Sequence, residues 1–387
     1  MNATFDVIVV GAGSVGNPTA LALAQQGMKV LVLEKRSAPG MGDNKAAIGG
    51  VRATHSDPAK IQTCIASLKV FSTWEETYGH SIGWKTGGYC FPVYTESLEN
   101  TLKGYLPIQK RFGLEIEWIS REGIREIVPG INGEGLLGGT YSPGDGQVSP
   151  LKMAAEVARE ALALGVVYRF NEAVTGYEIE AGSIRAVRTA QGRYEAPVLV
   201  VASGADAREH GVMLGVDLPV FPDSHEAGIS APIAPFLAPL VVDMRPGVEG
   251  RTANFYFGQG EGGQIIFCYT PKTIFPGHDR QNLAEFMPTL ASRLITLIPR
   301  FRNLLIRRIW RGLYPMTPDG VPIVDSLKEV QGVYVAVGMC GQGFMMGPGL
   351  ALSLASRIVH GEWTLEPEVQ KTFSLYRDFG AKTEALK

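Results

Sequence analysis

Apolar residues run along this chain in three distinct patterns. Short unbroken runs (FDVIVV at 5–10, KVLVLE at 29–34, LVVASGADA at 199–207, VYVAVG at 333–338) have the length and character of strands buried on both faces of a parallel sheet. Helical spacing marks TALALAQQG, which ends at Gly27, and LKMAAEVAREALALG, which follows Pro150 and stops at Gly165. Between 223 and 306 the pattern turns β-rich, with APLVVDM, TANFYF and QIIFCYT, then helical near 281–298 around Pro288. FGQGEGGQ at 257–264 separates two of these strands with no helix after it, which predicts a hairpin with a glycine loop. The last strand opens into a glycine and methionine run, GMCGQGFMMGPG, and a helix predicted at about 348–358.

GAGSVG at 11–16 sits between the first strand and the first helix, and the second strand ends in Glu34, the spacing of a dinucleotide-binding βαβ unit. Gly11 allows the tight turn, Gly13 lets a pyrophosphate approach the backbone, and Gly16 lets the helix close on the strand. The helix N-terminus offers free N–H groups to phosphate, and Glu34 is placed to accept from ribose hydroxyls. Ser14, Val15, Lys35 and Arg36 complete this part of the expected cofactor set.

The fingerprint alone does not choose between FAD and NAD. No second βαβ fingerprint is present, which disfavours an enzyme passing electrons from NAD(P)H through a flavin. Two stretches point to FAD. Ala202, Ser203 and Gly204 end a strand with small residues that let backbone lie flat against a cofactor, the alternative being an ordinary strand-to-helix turn. Gly341, Gln342, Gly343, Phe344 and Met345 are expected at a helix N-terminus under the isoalloxazine, where the dipole would stabilise the reduced ring's negative charge.

A net charge of -2 over 387 residues supplies no electrostatic reason to expect nucleic acid or an anionic membrane as partner. No apolar run reaches membrane-spanning length. The four cysteines, at 64, 90, 268 and 340, lack CxxC spacing and suit a reducing compartment. The histidines contain no HxxxH or HxH pair, so no metal site is expected. The first strand begins at Phe5, leaving no room for a signal or transit peptide, and a cytoplasmic location is expected.

VIVVGAGSVG, GDNKAAIGGVR, YSPGDGQVSP, ASGADA, RGLYPMTPDGVPIV and GFMMGPG, in this order, resemble the D-amino-acid-oxidase-like (DAO) family of FAD-dependent amine oxidoreductases. Within it the chain looks most like the β subunits of dye-linked L-proline dehydrogenase and of sarcosine oxidase. The resemblance implies an α/β fold: a doubly wound, Rossmann-like FAD domain (1–85, 148–222 and 307–387) and a discontinuous substrate domain (86–147 and 223–306) on a mixed, largely antiparallel sheet. It adds Asn44, Val174 and Gly312 to the cofactor set. It implies oxidation of a C–N bond in a small amine or amino acid by hydride transfer to flavin N5, with no obligatory acid–base residue.

An amino-acid substrate requires a cation for its carboxylate. Lys45 and Arg52, in the loop that resembles the one beside the isoalloxazine, are the first candidates. Lys45 alternatively serves flavin N5 through a water or holds the loop, and Arg52 alternatively makes a structural ion pair. Arg251 is a third candidate. Tyr314 stands in GLYP where glycine-oxidase-like members carry a carboxylate-binding arginine, and Met345 stands where sarcosine oxidases have lysine. Gly312 occupies the position of a flavin-linking cysteine, so non-covalent FAD is expected. Tyr89, Phe255, Tyr256 and Phe257 are candidates for the substrate wall, with Tyr256 facing away from the two phenylalanines on its strand. His225 reads as a structural histidine and Cys340 as a buried filler near the flavin loop. The expected activity is a dehydrogenase or oxidase of a secondary amine such as proline or sarcosine. The alternatives are a D-amino acid or glycine oxidase, and a flavoprotein subunit active only with partner subunits or an electron-acceptor protein.

Overall fold

Val7–Val10, buried throughout, pairs in parallel with Val30–Glu34 on one side and Val198–Val201 on the other. Val167–Phe170 and Val333–Val337 extend this sheet outwards, and Ile323–Ser326 closes it as an antiparallel edge. The unbroken apolar runs are thus strands covered on both faces, as their composition requires. The computed structural model describes residues 4–247, 250, 252–380 and 386.

Alternation along the strands divides the core. Val7, Val9, Val30 and Val32 pack against helices, among them Gly16–Gln25, Pro58–Tyr78, Pro150–Ala163 and Gly343–His360. Ile8, Val10, Leu31 and Leu33 face a three-stranded antiparallel sheet (Val174–Glu180, Ser183–Thr189, Arg193–Glu195) and the helix Ala207–Leu214. Pro150 opens its helix as the sequence predicts, with the Ser149 hydroxyl accepting from the Lys152 N–H at 3.4 Å.

A second sheet has eight strands, in the order Ile306–Met316, Phe221–Pro232, Gln264–Pro271, Thr252–Gln259, Leu240–Asp243, Tyr89–Val93, Gly138–Ser142 and Glu117–Ser120. All neighbours are antiparallel except the pair of Leu240–Asp243 with Tyr89–Val93. The hairpin around the 260–263 glycine turn is present, with Phe257 opposite Phe267. Phe255, Phe257 and Phe267 are fully buried against the helix Phe286–Leu297. That helix is shorter than the 281–298 pattern, and Pro288 falls in its first turn, where a missing N–H removes no intrahelical bond.

One element departs further from the expectation. The last helix begins at Gly343, five residues before the predicted start, so GFMMGPG is helix and not loop. Glycine disfavours helix by about 1 kcal/mol per residue relative to alanine, but packing here demands it. A Cβ on Gly347 would overlap the Ser14 carbonyl oxygen, and one on Gly349 the Thr63 carbonyl oxygen. The helix is wedged between the first glycine loop and the helix Pro58–Tyr78.

Candidate active site

A cavity of about 650 Å³ runs from the first glycine loop to the inner face of the eight-stranded sheet. At one end the backbone does what the sequence implies. Gly11 has φ +101°, and a Cβ there would lie 2.5 Å from the Ala202 carbonyl oxygen. Gly13 has no atom within 4 Å of where its Cβ would be and opens onto the cavity with Ser14 and Val15. Gly16 does not line the cavity; a Cβ on it would strike the Gly11 carbonyl, so it serves the close approach of helix to strand.

Glu34 is buried, with one carboxylate oxygen accepting from the Ala12 N–H at 2.8 Å and the other from the Arg36 N–H at 2.7 Å. Each oxygen keeps a lone pair for the cavity. Lys35, Arg36, Val174, Ala202, Ser203 and Gly204 surround this end. Lys35 is paired with Asp206. His210, 2.6 Å from the Tyr177 hydroxyl, is driven down to about 4 by burial and is neutral at physiological pH.

The 3₁₀ turn Asp43–Ala46 buries Asn44, whose amide donates to the Pro150 carbonyl at 3.1 Å, and exposes Lys45, which lies outside the cavity lining. Gly312 packs on Ala46, whose carbonyl accepts from the Trp310 indole N–H at 2.9 Å. Gly341 packs against the Tyr314 ring. Gly343, Phe344 and Met345 line the cavity at the start of their helix, and Gln342 caps it without a side-chain bond. Cys340, close by, is buried at φ +51°, with its Sγ 3.3 Å from the Thr317 hydroxyl.

The far end is aromatic. Tyr89, Tyr256 and Tyr314 line it, whereas Phe255 and Phe257 are in the core on the other face of the sheet. The Tyr256 and Tyr314 hydroxyls are 2.9 Å apart, and burial holds both phenols well above their ordinary range. Arg52 is buried in the wall. Its Nη2 donates to the Leu386 carbonyl at 2.6 Å and its Nη1 to the Thr54 carbonyl, both neutral acceptors. Arg251 lies outside the described residues.

Three features of this end were not legible as site features. His225 stacks on Tyr314 with ring centroids 3.8 Å apart, its Nε2 is 3.5 Å from Asp223 Oδ2, and its buried Nδ1 has no partner among the described residues. Cys268 also lines the cavity, its thiol pushed up to about 12 by burial. Asp145, fully buried beside Arg52, accepts from the Ala53 N–H at 3.1 Å and the Thr54 hydroxyl at 3.2 Å. Burial pushes its carboxyl up to about 7 against the opposing hydrogen bonds and the Arg52 charge. At the rim, ligand atoms of Asp206, Glu209 and His278 come within 4.8 Å of one another, with Asp206 engaged by Lys35.

The lining suits a long anionic dinucleotide that carries an aromatic ring. It offers an open Gly13 cradle, a helix N-terminus at each of two glycine loops, and buried Ser203 Oγ and Gln342 Oε1 atoms that have no partner among the described residues. Residues 6–357 match the DAO family, described as FAD-dependent oxidoreductase, and the chain belongs to that family. It is therefore an FAD-dependent oxidoreductase. It is 27% identical to the glycine oxidase of Geobacillus kaustophilus (strain HTA426) over 98% of this chain and 99% of that one. It is 25% identical to the mitochondrial dimethylglycine dehydrogenase of Rattus norvegicus over 92% of this chain, matching 43% of that longer protein. The crystal structure of L-proline dehydrogenase from P. horikoshii superposes with a TM-score of 0.92 at 29% identity, covering 99% of this chain and 100% of that one.

Proposed function

We propose that the chain oxidises the C–N bond of a small secondary amino acid, proline or sarcosine, at the aromatic end of the cavity. The observation that carries this reading is Arg52. A buried guanidinium that donates to two neutral carbonyls, with the neighbouring Asp145 carboxyl pushed up to about 7 and so only partly ionised at neutral pH, leaves a positive potential in the cavity wall, and a substrate carboxylate is the group that answers it. In this reading the Tyr256 and Tyr314 pair offers the carboxylate one hydroxyl donor, and Met345 and Tyr89 shape the apolar room for the ring. Lys45, exposed, takes no part. The six-stranded sheet and its helices form the cofactor half, and the eight-stranded sheet forms the substrate half.

Non-covalent FAD, when bound, supplies the acceptor for the substrate's hydride. Gly13, Ser14 and the helix after them would hold its pyrophosphate, Glu34 its ribose, and the helix from Gly343 its negatively charged ring edge. The chain's own contribution is alignment and exclusion of water. Four buried cysteines, none in a disulfide among the described residues, fit a reducing, cytoplasmic setting. Met345 and the similarity to dehydrogenases favour an electron acceptor other than oxygen, through a partner subunit or acceptor. The test is the anaerobic visible spectrum with proline, sarcosine, glycine and D-amino acids added one at a time. Bleaching by proline or sarcosine is expected; bleaching only by glycine or a D-amino acid would overturn the assignment.

A further inference from the structure

Net charge conceals a local asymmetry. Residues 286–312 contain six arginines and no aspartate or glutamate. Arg293 and Arg311 are buried, while Arg300, Arg302, Arg307 and Arg308 are exposed where the 3₁₀ turn Pro299–Asn303 enters the edge strand Ile306–Met316. Among them Leu305 stands 73% exposed. Its carbonyl accepts from the Ala231 N–H at 2.7 Å, and Arg300 covers the Phe236 ring at 4.1 Å, so the loop around 231–236 belongs to the same surface. That loop exposes Pro232, Ala234 and Pro235, and residues 227–242 hold no charge of either sign.

We propose that this surface docks the enzyme on an anionic lipid bilayer. Four exposed arginines lie within nine residues at the start of one edge strand, each worth about 1 kcal/mol beside an anionic leaflet. Leu305 and the proline-rich loop supply the apolar tip that enters the interface. Exposed Glu134, in the turn after Gly130 that Arg300 touches, and exposed Glu261, on the hairpin bonded to Ile233, stand at the margin of this surface, while residues 286–312 present positive charge alone. No helix among the described residues is long and apolar enough to cross a membrane, so the contact is peripheral. The edge strand runs from this surface to Gly312 and Tyr314, which puts the cavity about 20 Å from the bilayer.

The experiment is co-sedimentation of the full-length flavoprotein with vesicles of phosphatidylcholine alone or mixed equally with phosphatidylglycerol, at low and high salt. Binding to the mixed vesicles that is lost at high salt is expected. The variant R302E/R307E/R308E, at unchanged flavin content, should bind on the order of a hundredfold more weakly, from about fivefold per arginine neutralised. L305S should weaken binding severalfold, and the matched change K69E/K110E/K371E on other surfaces should leave most of it. Absent binding, equal binding to neutral vesicles, or equal loss in the matched variant would each overturn the proposal. Binding is read without turnover, so its failure is separate from failure of the proline or sarcosine assignment.

Discussion

The hydroxyls of Tyr256 and Tyr314 meet at 2.9 Å although their strands are separated by two others in the sheet. Three strand spacings amount to about 14 Å, so the two rings must lean together over the strands between them. Cys268 and Ala227, which continue the row of Tyr256 across the sheet, are small enough to allow it, and His225 lies against the Tyr314 ring. Burial keeps both phenols protonated, hence one donates to the other and the pair keeps one O–H to offer a substrate across the working pH range. Y256F and Y314F should each raise KM for a carboxylate-bearing substrate roughly tenfold to a hundredfold, with kcat little changed. Steady-state kinetics on the two single variants and the double variant check this; an unchanged KM would show the hydroxyls to be idle.

Arg52 gives a sharper contrast. R52Q should weaken proline or sarcosine by on the order of a hundredfold, since it removes a buried partner for a carboxylate. Pyrrolidine, which has proline's ring without its carboxylate, should react at the wild-type rate in both forms. Equal losses for the two substrates would assign Arg52 to the fold, through Thr54 and Leu386, and not to binding.

G347A tests the seam between the last helix and the first glycine loop. The added methyl meets main chain, the Ser14 carbonyl, which has no rotamer with which to yield. The expected destabilisation is about 1–3 kcal/mol, together with a fall in bound flavin measured by the ratio of visible to protein absorbance. G104A, at an exposed helical glycine with open space around its Cβ and outside the cavity lining, is the control that should retain flavin.

Asp145 links stability to pH. Its folded-state carboxyl, raised to about 7, binds a proton more tightly than the unfolded chain does, so stability falls as pH rises from about 4 to about 7. His210, depressed to about 4, runs the other way between about 4 and 6.5. The readout is therefore the difference between wild type and D145N in urea unfolding at several pH values. The destabilisation attributable to Asp145 should grow with pH up to about 7 and then level off.

The parts of the site that were legible in the sequence are those whose chemistry is local. Gly11, Gly13, Gly16 and Glu34 announce themselves because strand, turn, helix and strand follow one another within 34 residues. The alternation of Phe255, Tyr256 and Phe257 divides core from cavity by strand geometry alone. What the sequence hid depends on distance. The early start of the last helix is decided by carbonyls of Ser14 and Thr63, some 300 residues away in the chain. Arg52 meets Leu386 across 334 positions, and His225 joins the site only through its stacking on Tyr314. Lys45 looked equivalent to Asn44 until a 3₁₀ turn sent one outward and the other in.

That wedged helix also sets an order of events during synthesis. The strand Val333–Val337 and the helix Gly343–His360 finish a nucleotide cradle whose first half is made within 34 residues. At about 5–20 residues per second a ribosome needs roughly 15–60 s to cover the distance. Throughout that interval the growing chain carries an open sheet edge and half a phosphate site, and a chain released before residue 333 should retain no flavin. Capture of the coenzyme would then wait until residues 333–360 have been made.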